Sequence, residues 1–264
     1  MRLVFIGDIV GSVGRRALKE IMPKLKRQYP NAVFIANGEN AAAGRGITAV
    51  LAKEIFELGV HGLTMGNHTW DNKDIFEWID DEPRIVRPAN FPEGNPGKGH
   101  MIVKAMGHEL AVINLQGRTF LPAIDDPFRK VDDILEQLKG KYKYIMVDFH
   151  AEATSEKIAM GWHLDGRVSL VVGTHTHVQT NDERILPQGT AYLTDAGMTG
   201  PRDGILGMER GAVLHKFKTQ LPVRFVVDEG KYHFHAVTVD LDAATGKAKS
   251  IAKIRYIEDE FVME

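Results

Sequence analysis

The sequence predicts an α/β protein built on two stacked sheets, and three observations carry that expectation. Through the first two-thirds of the chain, short β-branched and aromatic runs alternate with stretches of helical period, strand first in each unit. After about residue 184, extended segments with turn punctuation take over and helices become scarcer. Acids, amides and histidines gather just past the early strand-like runs, where the carboxyl ends of strands in an open α/β sheet face one crevice.

The first expected strand is 2–7 (RLVFIG). A helix over 13–28 follows, with Ala17, Leu18, Ile21 and Leu25 at helical spacing and Pro23 placed to bend it. Strand 32–37 (AVFIAN) leads to a helix over 47–58, which Thr48 can cap ahead of Leu51, Ile55 and Leu58. Further strands are expected at 61–65 (HGLTM), 110–115 (LAVINL), 143–149 (KYIMVDF) and 168–173 (VSLVVG), each near the short length of buried strands. Between them, Asn90 to Gly99 reads as an ordinary Gly/Pro loop. Segments 221–227 (LPVRFVV), 232–240 and 247–257 are expected to form the second sheet. With no linker, charge block or solenoid repeat, a single domain over 1–264 is expected.

Composition narrows the chemistry. The 264 residues are 44% hydrophobic and 26% charged, as in ordinary globular proteins. Basic and acidic residues number 33 and 35, a formal charge of −2, so no global field draws the chain to nucleic acid or anionic membranes. The absence of cysteine excludes disulfides, thiolate zinc sites, iron–sulfur clusters and cysteine nucleophiles, leaving His, Asp, Glu and Asn as metal ligands. The first residues are too short in apolar length for a signal peptide, no run approaches the roughly 18 apolar residues of a spanning helix, and the C-terminus carries no lipidation signal. A cytoplasmic protein without membrane partners is expected.

Five strand ends carry polar clusters: Gly7-Asp8, Gly38-Glu39-Asn40, Gly66-Asn67-His68, Asp148-Phe149-His150 and Gly173-Thr174-His175-Thr176-His177. The glycines permit tight turns and close approach of a ligand to the backbone. Asp8 and Glu39 offer carboxylates, Asn40 and Asn67 amide oxygens, and His150, His175 and His177 imidazoles. Such an inventory suits two Mn, Fe, Zn, Co or Ni ions better than calcium. His175 and His177 share one face if their segment is extended. His233 and His235 have the same spacing but no glycine turn or nearby acid, and are assigned to a solvated sheet face. His61, His100, His108, His163 and His215 are expected to be structural. The run from Gly7 to Gly14 is G-x-x-x-G-x-x-G rather than the dinucleotide fingerprint, Gly44-Arg45-Gly46 lacks the rest of a P-loop, and there is no G-x-S-x-G elbow.

In order, these clusters resemble the calcineurin-like metallophosphoesterases, whose pattern is D-x-H, G-D-x-x-D, G-N-H-D/E, a lone H and G-H-x-H. Val10 stands where that family has its first histidine, Gly38-Glu39-Asn40 replaces the aspartate motif, and Thr174 stands where a shifted histidine is frequent. The strings GDIVGSVGR, NGENAAAGRGIT, GNHTWDN, DFHAEATSEK, GTHTHVQT and TDAGMTGP are similar to the bacterial YmdB-type phosphodiesterases of that superfamily. The resemblance implies a four-layer sandwich of two mixed sheets flanked by helices. It also implies hydrolysis of 2′,3′- and 3′,5′-cyclic nucleotides through attack of a hydroxide shared by two metals, Fe or Mn first among them. By the same resemblance Asp8, Glu39, Asn40 and His177 would hold one ion, Glu39, Asn67, His150 and His175 the other, with Glu39 bridging. His68 would be the general acid or a donor to the phosphate, the alternative being a residue that orients Asp8. The expected partners are a small phosphodiester such as a cyclic nucleotide, an RNA-derived substrate, and further copies of the chain. Two other readings stay open: a regulatory metal-binding protein with little turnover, and a nuclease for longer RNA.

Overall fold

Strand β1 (Arg2–Ile6) is buried on both faces, with Val4 and Ile6 packed in one apolar cluster and Leu3 and Phe5 in another. A strand so covered must lie between two layers. The computed structural model describes residues 1–259, and residues 260–264 of the expected 1–264 domain lie outside the described residues. After β1 the chain forms β2 (Asp8–Ile9), α1 (Gly11–Gln28), β3 (Ala32–Asn37), α2 (Ala49–Glu57), β4 (Gly62–Thr64) and β5 (Ile85–Val86). Next come β6 (His100–Ala105), β7 (His108–Gln116), α3 (Pro127–Leu138), β8 (Tyr144–His150), α4 (Thr154–Leu164) and β9 (Leu170–Thr174). The remainder is β10 (Arg184–Ile185), β11 (Ala191–Leu193), β12 (Met198–Pro201), α5 (Arg210–Thr219), β13 (Tyr232–Leu241) and β14 (Ala248–Ile257).

The first sheet has eight strands in the order β2-β12-β13-β1-β3-β4-β5, with β14 paired to β13. The second has six, in the order β10-β11-β9-β8-β7-β6. β1, β3, β4 and β5 run parallel, as do β7, β8, β9 and β11, while antiparallel pairings such as β1–β13 and β6–β7 make both sheets mixed. Leu3, Phe5, Val33 and Val237 of the first sheet meet Val112, Met146, Leu170 and Val172 of the second in one buried layer. The outer face of the first sheet packs on α1 and α2, and that of the second on α3 and α4. The result is the expected four-layer sandwich. α1 runs through Pro23, and Thr48 caps α2 by accepting the Leu51 N–H at 3.3 Å. Among the described residues, no helix is long and apolar enough to cross a membrane.

Three expectations need correction. The C-terminal segments do not make a sheet of their own, because β13 lies antiparallel on β1, Arg2 opposite Asp240 through Ile6 opposite Ala236, and β14 then pairs with β13. Segment 221–227 is not a strand; its one ladder contact is the bridge between Met208 and Val227. His233 and His235 are not on a solvated face. His235 is 6% exposed, and its two ring nitrogens and Nε2 of His233 are buried without hydrogen-bond partners.

Candidate metal centre

The strand ends do converge. Gly66 shows how closely, since a Cβ there would lie 2.4 Å from both Glu39 Oε2 and His150 Nε2, so only glycine lets β4 end against these groups. At the middle stands His150 Nε2, with Asn67 Oδ1 at 2.9 Å, Glu39 Oε1 at 3.1 Å and His175 Nδ1 at 3.1 Å. Asp8 joins this group through Oδ2, which accepts the His175 N–H at 3.4 Å. Beside it, His177 Nε2 lies 3.3 Å from Asn40 Oδ1. All seven residues predicted as ligands are therefore drawn into these two adjoining groups.

The outer partners decide which ring nitrogens carry hydrogen. The Thr174 hydroxyl donates to Asp148 Oδ1 at 2.7 Å, so it accepts from His150 Nδ1 at 2.9 Å. His175 Nε2 faces the Glu152 carboxylate at 2.9 Å, and His177 Nδ1 faces the Leu206 carbonyl at 3.1 Å. Each acceptor calls for an N–H, which leaves the lone pairs of His150 Nε2, His175 Nδ1 and His177 Nε2 directed inward. Asn40 likewise donates Nδ2 outward to the Gly44 carbonyl at 3.0 Å and keeps Oδ1 inside.

Lone pairs packed this way repel unless a cation lies among them. Their spacing of about 3 Å is the edge of a coordination polyhedron with bonds of about 2.1 Å. Asp8 Oδ1 is buried without a hydrogen-bond partner, and Glu39 Oε1 faces the His150 ring nitrogen at 3.1 Å, so both carboxylate oxygens are open to a metal. Titration gives the same account. Burial, with Asp195, Glu39 and Asp148 close by, drives the Asp8 carboxyl well above its ordinary range. Burial alone would keep His150 neutral, but Glu39 and Asp8 overcome it and push the ring up to about 9, a proton taking the cation's place. His175 goes the other way, pushed down to about 3 by burial and by His150 beside it. The donor set fits transition-metal ions.

The backbone at the histidines is strained. His175 and His177 have φ of 100° and 63°, a left-handed region costly for residues with a Cβ. Thr176 between them is clamped by Asp195 Oδ2, which accepts its N–H at 3.1 Å and its hydroxyl at 2.7 Å. The expected extended segment is thus a sharply turned one.

His68 donates its backbone N–H to Glu39 Oε2 at 2.9 Å, and its ring Nδ1 pairs with Asp71 Oδ2 at 2.9 Å. The alternative partner named from sequence, Asp8, makes no such contact with its ring among the described residues; Asp71 occupies that role. Sequence reasoning also passed over Thr174, Glu152 and Asp195 as supports. Glu152 and Asp195 were visible as acids just beyond strand ends, whereas the part played by Thr174 depends on Asp148 and could not be read locally.

Residues 4–254 match the profile of a family described as YmdB-like protein. The chain is 59% identical over 264 residues, the full length of both, to a 2′,3′-cyclic-nucleotide 2′-phosphodiesterase of Bacillus subtilis. A crystal structure of a hypothetical protein from Thermus thermophilus superposes with a TM-score of 0.92 at 41% identity, covering 98% of this chain and all of that one. A second, of a protein from Mycoplasma pneumoniae described as a novel phosphatase, gives 0.92 at 33% identity, covering 98% of this chain and 94% of that one. A profile match over nearly the whole chain, on a metallophosphoesterase sandwich with the cluster at its strand ends, places the chain in the YmdB-like protein family.

Proposed function

We propose that this protein is a dinuclear metal-dependent phosphodiesterase that hydrolyses 2′,3′-cyclic nucleotides and also accepts 3′,5′-cyclic ones. The observation that carries the reading is the inward turn of three imidazole lone pairs onto two buried carboxylates, each ring held by an outer acceptor. The B. subtilis relative supports the substrate class by its name and its 59% identity. Glu39, Asn67, His150 and His175 would hold one ion and Asp8, Glu39, Asn40 and His177 the other, Glu39 serving both. Nitrogen and oxygen donors without sulfur suit Fe or Mn. Such a pair supplies positive charge to the phosphate and acidifies water near neutral pH.

The chain's own residues do the rest. Thr174, Glu152 and the Leu206 carbonyl fix the three rings, and the Asp195 clamp holds the strained turn that presents two of them. When water oxygen bonds to phosphorus, one P–O bond of the ring breaks and the ribose oxygen departs. His68, protonated on both ring nitrogens with its Nδ1–H donated to Asp71, would give its Nε2 proton to that oxygen, and the proton released by the attacking water would restore it.

The test is a panel of 2′,3′- and 3′,5′-cyclic AMP, bis(p-nitrophenyl) phosphate, a phosphomonoester and RNA, with and without chelator, on wild-type protein and His68→Ala. Chelator-sensitive hydrolysis of the cyclic nucleotides is expected. His68→Ala should keep its metals and lose roughly 10²–10⁴-fold on the cyclic nucleotides, the usual range for a lost proton donor. The loss should be much smaller on bis(p-nitrophenyl) phosphate, whose leaving group needs little protonation. Equal losses on both would remove His68 from the acid's role, and chelator-insensitive turnover would remove the metals.

A further inference from the structure

Next to the metal centre lies a second concavity of about 620 Å3, and its walls are hung from residues already placed in the site. One wall, with Ala42 and Arg45, is the turn that follows Asn40, whose Nδ2 grips the Gly44 carbonyl. The other, with Met208, continues from Leu206, whose carbonyl holds His177 Nδ1. The cavity is therefore built on the same two segments that hold Asn40 and His177 in the centre.

The lining does not match a cyclic mononucleotide alone. Lys216, Arg224 and Arg45 face it, and no acid is among the residues that line it, although the chain as a whole carries a charge of −2. Arg45 lies 3.7 Å from Asp71, the partner of His68, whereas Arg224 has no carboxylate partner among the described residues. Phe225, 40% exposed, and Met208 add apolar surface to the same lining. A cyclic mononucleotide has one phosphate, which the metal centre takes. Three cations beyond it call for a second phosphate, and an exposed aromatic ring in the same lining calls for a base to stack on it.

We infer that this cavity binds the penultimate nucleotide of an oligonucleotide whose 3′ end carries the 2′,3′-cyclic phosphate. The inter-nucleotide phosphate lies against Arg224 and Lys216, and its base stacks on Phe225, so the preferred substrate is the end of an RNA fragment rather than a free cyclic nucleotide. This rests on the phosphodiesterase reading above and names the substrate for it.

The test compares 2′,3′-cyclic AMP with the dinucleotide ApA ending in a 2′,3′-cyclic phosphate, on metal-loaded wild type, Arg224→Ala, Lys216→Ala and Phe225→Ala. Wild-type kcat/KM should favour the dinucleotide by about tenfold or more, and each variant should lower that ratio severalfold. In parallel, fluorescence polarisation of a labelled, uncleavable ApA follows binding directly. It should weaken with added salt and weaken again in Arg224→Ala, since a phosphate contact releases counterions on binding. A ratio near one that the variants leave unchanged, with binding indifferent to salt and to Arg224, overturns the inference while leaving the phosphodiesterase reading intact. Failure of wild type on both substrates, by contrast, overturns that reading, and the substrate assignment falls with it.

Discussion

Lys157 Nζ lies 2.6 Å from Asp195 Oδ2, and both side chains are almost wholly enclosed, at 2% and 0% exposed. The same carboxylate oxygen accepts the N–H and hydroxyl of Thr176, while Oδ1 accepts the Gly197 N–H at 2.8 Å. The pair thus ties α4 to the turn that presents His175 and His177.

Removing the lysine leaves a buried charge with no counterion, the costly way to break such a pair. Lys157→Met should therefore lower unfolding stability by about 3–5 kcal/mol, read from urea curves of chelator-treated protein. Metal content after purification should fall as well, because the clamp on Thr176 loosens. A stability change within a few tenths of a kcal/mol would mean that Asp195 is held well enough without Lys157.

Thr174 sets the tautomer of His150, so its hydroxyl matters more than its size. Thr174→Val should weaken metal binding about 10–100-fold, the usual cost of losing an outer partner of a ligating histidine, and Thr174→Ser should restore it. Competitive titration against a metal-binding dye measures both. Equal affinities in the two variants would assign Thr174 to packing.

The two histidine pairs give the proposed ligand assignment a direct contrast. His175→Ala and His177→Ala should each lose metal, and His233→Ala and His235→Ala should retain it, as measured by metal analysis of the four purified proteins. The enclosed His235 should nevertheless cost stability when truncated, in contrast to an exposed sheet residue.

His235 also gives the acid limb of the stability curve a definite sign. Burial, with His233 and Arg255 adding positive charge nearby, pushes it down to about 3, whereas an unfolded histidine titrates near 6.5. Between these values the unfolded chain binds a proton that the folded one refuses, so stability is full above about pH 6.5 and declines as the pH falls from there toward 3. In chelator-treated protein, His235→Gln should make the decline between pH 6.5 and pH 5 shallower. An unchanged slope would assign that limb to other groups.

The early strands were legible because parallel strands covered on both faces are near-continuous apolar runs that stop at a glycine; 32–37 is β3 residue for residue. The helices expected over 13–28 and 47–58 correspond to α1 and α2 for the same kind of local reason. What failed depended on distant residues. Leu221, Val223, Phe225 and Val227 alternate like a strand, yet no neighbouring strand meets them beyond the Met208–Val227 bridge. His235 was placed in solvent because nothing in YHFHAV reveals that Gly197 and Gln179 cover that face; a Cβ on Gly197 would sit 2.5 Å from His235 Nδ1. At the centre, residue types and glycine turns could be read along the chain. The hydrogen bonds that aim each ring could not, since they cross from one segment to another.

Asp8 follows β1 directly, yet its place is set by residues far along the chain. Its N–H donates to the Gly197 carbonyl, the preceding Gly7 N–H donates to the His235 carbonyl, and β1 is bordered along its length by β13. During synthesis, β1 and β3 can pair early, but the other edge of β1 stays bare until β13 has emerged. A truncated product ending before residue 232 would display that apolar edge, an invitation to aggregation, and would hold Asp8 on a loose tether. A chain that still lacks β13 therefore leaves Asp8 short of the partners that fix it beside the other strand ends.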